Sequence, residues 1–209
     1  NVIDTIISPA QSDFLPKKST QDNFLYFQST VRALHRKKTL ALLIKLDIAK
    51  AFDNVSWEYL LELLQALGFS ARWRDWITML LSTSTSSFLL NGAEGKKILH
   101  CRGLRQGDPL SPLLFIIALA PLHQLLQRAM ELGKLDWLPG RVLSLRVCLF
   151  AYDAIIFANL VKEEIDTLMR IIHDFGHASG LKVNMLKSSV TTIRCDHIDL
   201  QQVLQNFGG

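Results

Sequence analysis

Hydrophobic and polar positions along the chain fall into blocks whose period changes several times, and each change marks an element boundary. Leu40-Ala41-Leu42-Leu43-Ile44-Lys45-Leu46-Asp47 is a short continuous apolar run ending in a carboxylate, the pattern of a buried strand that delivers a polar side chain at its end. Behind Ser56, a good N-cap, Trp57, Leu60, Leu61 and Leu64 recur at helical spacing until Gly68 stops them. Ser70 caps a second helix carrying Trp73, Trp76, Ile77 and Leu80. Ser87 to Leu90 and Ile98 to Cys101 read as a pair of strands about a loop that contains the turn signal Asn91-Gly92. Ser111 with Pro112 opens a long helix whose apolar spacing runs toward Met130 before Gly133 ends it. Leu145 to Phe150 and Ile155 to Phe157 are strand-like, separated by Ala151-Tyr152-Asp153-Ala154, a hairpin with Asp153 at or near its tip. Lys162 to Ala178 is helical through Ile165, Leu168, Ile171, Ile172 and Phe175, Leu181 to Asn184 reads as a further strand, and Asp199 to Phe207 starts another helical pattern. This order predicts an α+β fold, an antiparallel sheet with helices on one face.

Composition narrows the class only slightly. At 209 residues and 49% hydrophobic, the chain can bury the core of one domain. A net charge of +4 and a pI near 9.0 suit a polyanionic partner without requiring one. Cys101, Cys148 and Cys195 are odd in number and form no Cys-x-x-Cys pair, so they are expected to be reduced, mostly buried thiols of an intracellular protein. No basic segment followed by an apolar core opens the chain, which speaks against a secretory signal. The longest apolar stretch, Leu113 to Leu122, is too short to span a bilayer, and no membrane partner is expected. Asn1 in place of a methionine, and a helical pattern begun just before Gly209, predict a piece of a longer protein.

Five stretches carry candidate chemistry. Lys45-Leu46-Asp47-Ile48-Ala49-Lys50-Ala51-Phe52-Asp53-Asn54-Val55-Ser56-Trp57 follows the first strand; Gly103-Leu104-Arg105-Gln106-Gly107-Asp108-Pro109-Leu110-Ser111-Pro112-Leu113-Leu114-Phe115 joins a polar loop to an apolar helix. Phe150-Ala151-Tyr152-Asp153-Ala154 is the hairpin, Asn184-Met185-Leu186-Lys187-Ser188 follows the last strand, and Gln11-Ser12-Asp13-Phe14-Leu15-Pro16-Lys17-Lys18-Ser19-Thr20-Gln21-Asp22-Asn23 precedes them all. Taken alone, an aspartate at a strand end is a turn former and a lysine after a strand is solvated. Asp47 and a hairpin carboxylate brought together across a sheet, however, would give Mg²⁺ the hard oxygen donors it takes, one or two protein carboxylates completed by phosphate and water. Glycine at 107 suits a backbone that must approach a ligand closely.

In this order the stretches resemble the reverse transcriptases of non-LTR, LINE-type retrotransposons, particularly the plant kind, over nearly the whole chain. Phe52-Asp53-Asn54-Val55-Ser56-Trp57 and the Phe-Ala opening of the hairpin fit that pattern better than that of group II intron-type enzymes. The resemblance implies a polymerase palm, an antiparallel ferredoxin-like sheet with helices on one face, plus fingers segments. It divides residues 1–209 into a fingers segment (1–38), a palm (39–195) with a fingers insertion around 82–105, and the start of a truncated thumb connection (196–209). It also implies RNA-directed DNA polymerisation by two-metal nucleotidyl transfer, with two Mg²⁺ ions as cofactors. An RNA template, a DNA primer and deoxynucleotide triphosphates would be the partners, and endonuclease and thumb regions are expected in the full-length element. Nuclear action is implied by the family alone.

Residue by residue, the resemblance makes Asp47 a ligand of both metals assisted by the carbonyl of Ile48, and makes Phe52 the steric gate against a 2′-hydroxyl. Gln106 and Gly107 would lie against the incoming nucleotide and template base, Arg105 would add a charge for phosphate or template backbone, and Lys187 would approach the triphosphate and protonate pyrophosphate. Lys17 and Lys18 replace the family's Gly-Arg in the fingers, keeping charge but losing the planar fork of arginine. At the hairpin the family has two adjacent aspartates. Here Tyr152 occupies the first position, a metal ligand, and Asp153 the second.

A phenol is neutral at pH 7 and a poor Mg²⁺ ligand. At an effective dielectric of about 20 a unit pair at 4 Å is worth roughly 4 kcal/mol, so losing a carboxylate beside a divalent ion removes about 8 kcal/mol of gross attraction. The chain is therefore expected to be impaired as a polymerase. The alternative reading is a non-catalytic nucleic-acid-binding remnant that keeps a basic groove without the metals, and metal binding separates the two.

Overall fold

The computed structural model describes residues 20–138, 146–150, 153–194, 204 and 207. A helix not anticipated from the periodicity, α1 (Thr20–Arg36), comes first. The central strand β1 (Ala41–Asp47) follows, then a single turn α2 (Ala51–Asn54) and the two capped helices α3 (Trp57–Ala66) and α4 (Ala71–Ser82). Both caps act as the sequence suggests: Ser56 Oγ accepts from the Tyr59 amide at 3.3 Å and Ser70 Oγ from the Trp73 amide at 3.4 Å.

Next come four short strands, β2 (Thr85–Ser86), β3 (Leu89–Leu90), β4 (Ala93–Glu94) and β5 (Ile98–Leu99), and the long helix α5 (Ser111–Glu131). The chain continues with β6 (Val147–Phe150), β7 (Asp153–Asn159), α6 (Lys162–Ser179), a 3₁₀ turn (Met185–Lys187) and β8 (Ser189–Ile193).

Four strands form one antiparallel sheet in the order β6-β7-β1-β8. Alternation along β1 and β7 sorts their side chains. Leu42, Ile44, Leu46, Ala154, Ile156 and Ala158 join the main core under α3, α5 and α6. On the opposite face Ala41, Leu43, Ile155 and Phe157 pack with Phe27, Val31 and Leu34 of α1. Helices α3, α5 and α6 thus share one face, and α1 covers part of the other. Burial there pushes the Cys148 thiol up to about 11, so it stays protonated.

Helix α5 is buried nearly all round, from Leu114 through Ala120. Among the described residues it is the one helix long and apolar enough to cross a membrane, and 67% of its most apolar window is buried in the core.

The long helix opens at Ser111 with Pro112 in its first turn, as the pattern predicts, and three expectations are corrected. First, Ser87–Leu90 does not pair with Ile98–Cys101: Leu89–Leu90 turns straight back onto Ala93–Glu94, while Ile98–Leu99 pairs with Thr85–Ser86. Asn91 at φ 50° and Gly92 at φ 82° are both left-handed, the geometry of a two-residue hairpin turn that closes at once. Second, Leu181–Asn184 makes only an isolated bridge, Val183 to Ile48, and the strand beside β1 is Ser189–Ile193. Third, Cys101 is exposed, while Cys195 lies outside the described residues, as does most of the expected helix from Asp199. Phe207 returns to the main core.

Candidate active site

The site begins where β1 ends. Asp47 and Asp153 are directly opposed across the β1–β7 pairing, so both carboxylates stand on the same face of the sheet. Lys45, two residues before Asp47 on that face, reaches diagonally to Asp153, with Nζ 3.2 Å from Oδ2. Asp153 is the first residue of β7 and not a loop residue; Tyr152, beside it in sequence, lies outside the described residues.

The backbone of Asp47 is held from the other side. Its amide donates to Ser188 Oγ at 3.2 Å, its carbonyl accepts from the Asn184 amide at 2.8 Å, and Ser188 Oγ donates to the Asn184 carbonyl at 2.8 Å. These bonds dock the 3₁₀ turn carrying Lys187 against the strand end. Ser188 is buried, and nothing in its sequence spacing signals this role.

After Asp47, Lys50 adopts a left-handed conformation, φ 45° and ψ 52°, which swings the chain into α2. Phe52 is half-buried on that turn and stacks on Phe115, ring centroids 4.8 Å apart. The polar loop is tied to the same turn: the Leu104 amide donates to the Phe52 carbonyl at 2.6 Å, the Gly103 amide to the Val55 carbonyl at 2.8 Å, and Trp57 Nε1 to the Gly103 carbonyl at 2.6 Å. A side chain at Gly103 would place its Cβ 2.6 Å from the Asp53 carbonyl oxygen, so only glycine fits. Gly107 differs. Its φ of +92° needs glycine, but a Cβ there would meet nothing within 4 Å.

One cleft of about 450 Å³ results, lined by Asp47, Ile48, Lys50, Ala51, Phe52, Gln106, Gly107, Pro112 and Lys187. Six of these were singled out from sequence; Lys50, Ala51 and Pro112 were not. Gln106 Nε2 also donates to Asp53 Oδ1 at 3.4 Å, tying the loop to α2. Arg105 is not among the lining residues: its guanidinium donates to Ser84 Oγ at 2.9 Å, Thr83 Oγ1 at 3.3 Å and the Leu80 carbonyl at 3.4 Å, bracing the end of α4. Lys17 and Lys18 lie outside the described residues.

Residues 1–204 match the model of the family described as reverse transcriptase (RNA-dependent DNA polymerase). The chain belongs to that family. Among its relatives, the Pol polyprotein of the type-1 retrotransposable element R2 of Popillia japonica is 28% identical over 184 residues, 87% of this chain and 25% of the relative. The transposon TX1 149 kDa protein of Xenopus laevis is 27% identical over 190 residues, 90% of this chain and 14% of the relative. Such names set the reverse transcriptase domain among those of non-LTR retrotransposons, and it spans a quarter or less of these relatives' lengths. The structure of Candida albicans telomerase in complex with a TWJ fragment of telomeric RNA shares the fold, with a TM-score of 0.63 at 15% identity over 83% of this chain and 31% of that one. The antiparallel sheet and its helices are thus a polymerase palm with fingers segments.

Proposed function

We propose that the Asp47 cleft is the site of RNA-directed DNA polymerisation, and that Tyr152 impairs it. The observation that carries this reading is the convergence of Asp47, Ile48, Phe52, Gln106, Gly107 and Lys187, drawn from three separate stretches of chain, on one cleft. Asp47 and Asp153, opposed across the β1–β7 pairing, are the proposed carboxylate donors. Two opposed carboxylates fit a hard cation that takes its other ligands from phosphate and water. Asp47, the Ile48 carbonyl and Asp153 would hold Mg²⁺, which when bound lowers the pKa of the primer 3′-hydroxyl and neutralises the triphosphate.

The remaining work falls to the chain. Phe52, braced by Phe115, presents its ring to the sugar and excludes a 2′-hydroxyl. Gln106 and Gly107 offer a side-chain amide and an accessible backbone to the nucleotide and the template base. As the primer 3′-oxygen, its proton passed to water, bonds to the α-phosphorus and the α-phosphorus–oxygen bond to pyrophosphate breaks, Lys187 donates its ammonium proton to that leaving group. RNA template, DNA primer and deoxynucleotide triphosphates are the proposed partners, bound through phosphate with strong salt dependence.

One observation favours the second reading, a nucleic-acid-binding remnant. Lys45 already neutralises Asp153, the hairpin carboxylate that Tyr152 leaves without its neighbour. The decisive experiment is Tyr152→Asp in a protein that also carries a family thumb. Deoxynucleotide incorporation should rise by several orders of magnitude, equivalent to about 4 kcal/mol or more, and Asp47→Ala should then abolish it. Equal activity with either residue at 152 would sink the assignment. In the active background Phe52→Val should admit ribonucleotides; unchanged sugar discrimination would make Phe52 a packing residue alone.

A further inference from the structure

A second cleft, about 440 Å³, opens between α6 and the segment after it and is lined by residues including Met169, His173, His177, Lys182 and Met185. It shares no residue with the Asp47 cleft. His173 and His177 stand one helical turn apart, so their side chains emerge on the same face. Their ring centroids are 4.9 Å apart with planes inclined by 52°. Two imidazoles sharing one tetrahedral ion at about 2.0–2.1 Å hold their nitrogens roughly 3.3 Å apart and their ring centres roughly 5 Å apart. The ring centres therefore already stand at about that separation.

A further contact selects the ligating atom. His173 Nδ1 lies 3.4 Å from Asp174 Oδ1, which favours a proton on Nδ1 and leaves Nε2 as the lone-pair donor, with a carboxylate behind the ring as metal-bound histidines have. Both His173 and Asp174 are well exposed, at 70% and 71%, so an ion has free access. The other described histidines are differently placed: His35 Nδ1 accepts from Arg194 Nε at 2.7 Å, His100 pairs with Ser86 Oγ at 2.7 Å, and His123 is buried.

We propose that His173 and His177 form a binding site for one borderline divalent transition ion of the Zn²⁺, Ni²⁺ or Cu²⁺ class, its coordination completed by water. Imidazole nitrogen suits these ions and not Mg²⁺, which takes oxygen, so this site and the polymerase cleft sort the two kinds of cation by ligand chemistry. The cleft wall opposite the histidines belongs to the segment that holds Asp47: the Lys182 carbonyl accepts from the Ala49 amide at 2.9 Å and the Asn184 amide donates to the Asp47 carbonyl at 2.8 Å. An ion bound to the native state alone raises its stability through linkage, and here it does so beside that segment.

The test uses the tag-free 209-residue chain, stripped with a chelator and titrated calorimetrically with Ni²⁺ or Zn²⁺, with Mg²⁺ as the comparison ion. One Ni²⁺ or Zn²⁺ per chain should bind and raise the thermal midpoint, while Mg²⁺ at the same concentration should give no heat at this site. Asp174→Asn should weaken binding by about tenfold, and His173→Gln or His177→Gln by more. His100→Gln should change nothing, and Lys182→Ala, which removes a basic side chain from the cleft wall, should tighten binding. With Cu²⁺, electron paramagnetic resonance should show nitrogen hyperfine structure that the double variant His173→Gln/His177→Gln loses. These positions are on the helix surface, so the metal-free urea midpoint should be unchanged in the variants. Absence of Ni²⁺ and Zn²⁺ binding, full affinity in the double variant, or weaker binding by Lys182→Ala would overturn the proposal.

Discussion

The two ends of the β6–β7 hairpin each carry an ion pair, and the pairs have little in common beyond their charges. At the base, Glu164 in the first turn of α6 accepts from Arg146 Nη1, from the Asp136 amide at 3.3 Å, and from the amide and side chain of Asn159 at 2.8 and 2.9 Å. Arg146 adds a bond to the Asp136 carbonyl, and the two side chains are 1% and 4% exposed. At the far end, Lys45 and Asp153 meet at 3.2 Å with 48% and 28% of their side chains exposed. Burial decides what each pair can be. The base pair, desolvated and surrounded by fixed donors, cannot release a partner without leaving a charge in the core. The tip pair is partly hydrated and screened, so a cation can take the place of Lys45 at little cost. A hairpin clamped at its base and exchangeable at its tip suits a site whose cation comes and goes.

The largest effect should follow from breaking the base. Arg146→Ala leaves Glu164 buried without its cation and should destabilise the fold by about 3–5 kcal/mol in urea denaturation. A loss below about 1 kcal/mol would place this pair in the surface class and erase the contrast.

Ser188→Ala probes the support of the facing strand. It leaves the Asp47 amide and the Asn184 carbonyl without their hydroxyl partner and should cost about 1–3 kcal/mol. In the Tyr152→Asp background it should also lower incorporation, since Asp47 and Lys187 would lose a common anchor.

Acid should act on a third buried group. Burial holds the His123 imidazole below its ordinary value of 6.5, so the folded chain keeps it neutral while the unfolded chain takes up a proton first. The stability this contributes is fully present above about pH 6.5 and is lost as pH falls toward the folded-state value. Urea midpoints at about pH 7.5 and about pH 5.5 should therefore diverge, and His123→Leu should reduce the divergence. An unchanged pH dependence in that variant would show that His123 is not its source.

The smallest effect on stability should come from the tip. Lys45→Ala should change stability by about 0–1 kcal/mol while raising the affinity of the cleft for Mg²⁺, because Asp153 loses its competing cation. Unaltered Mg²⁺ binding would mean that the pair does not compete with metal.

Much of the frame was readable in advance because its signals are local. The apolar run to Asp47 and the Ser56 and Ser70 caps each depend on residues within a turn or two of each other, and each forms where the pattern puts it. Ser189-Val190-Thr191-Thr192-Ile193 carries no apolar run, because its first four side chains are exposed or half-exposed at the sheet edge and Ile193 alone is buried, so it is a strand only by pairing with β1. Arg105 looked like a free cation beside a loop, yet the acceptors that hold it lie on α4 and just beyond it, positions that sequence spacing does not connect.

By itself the sequence determined the family, the order of the palm elements, and the candidate residues Asp47, Phe52, Gln106, Gly107 and Lys187, since period, caps and motif order are properties of short stretches. Only the tertiary structure decided that Lys45 neutralises Asp153, that Ser188 holds Asp47, and that Glu164 locks the hairpin base. Each of those contacts joins segments far apart in the chain. Their strength depends on burial, which no stretch of sequence possesses until the sheet and its helices have closed over it.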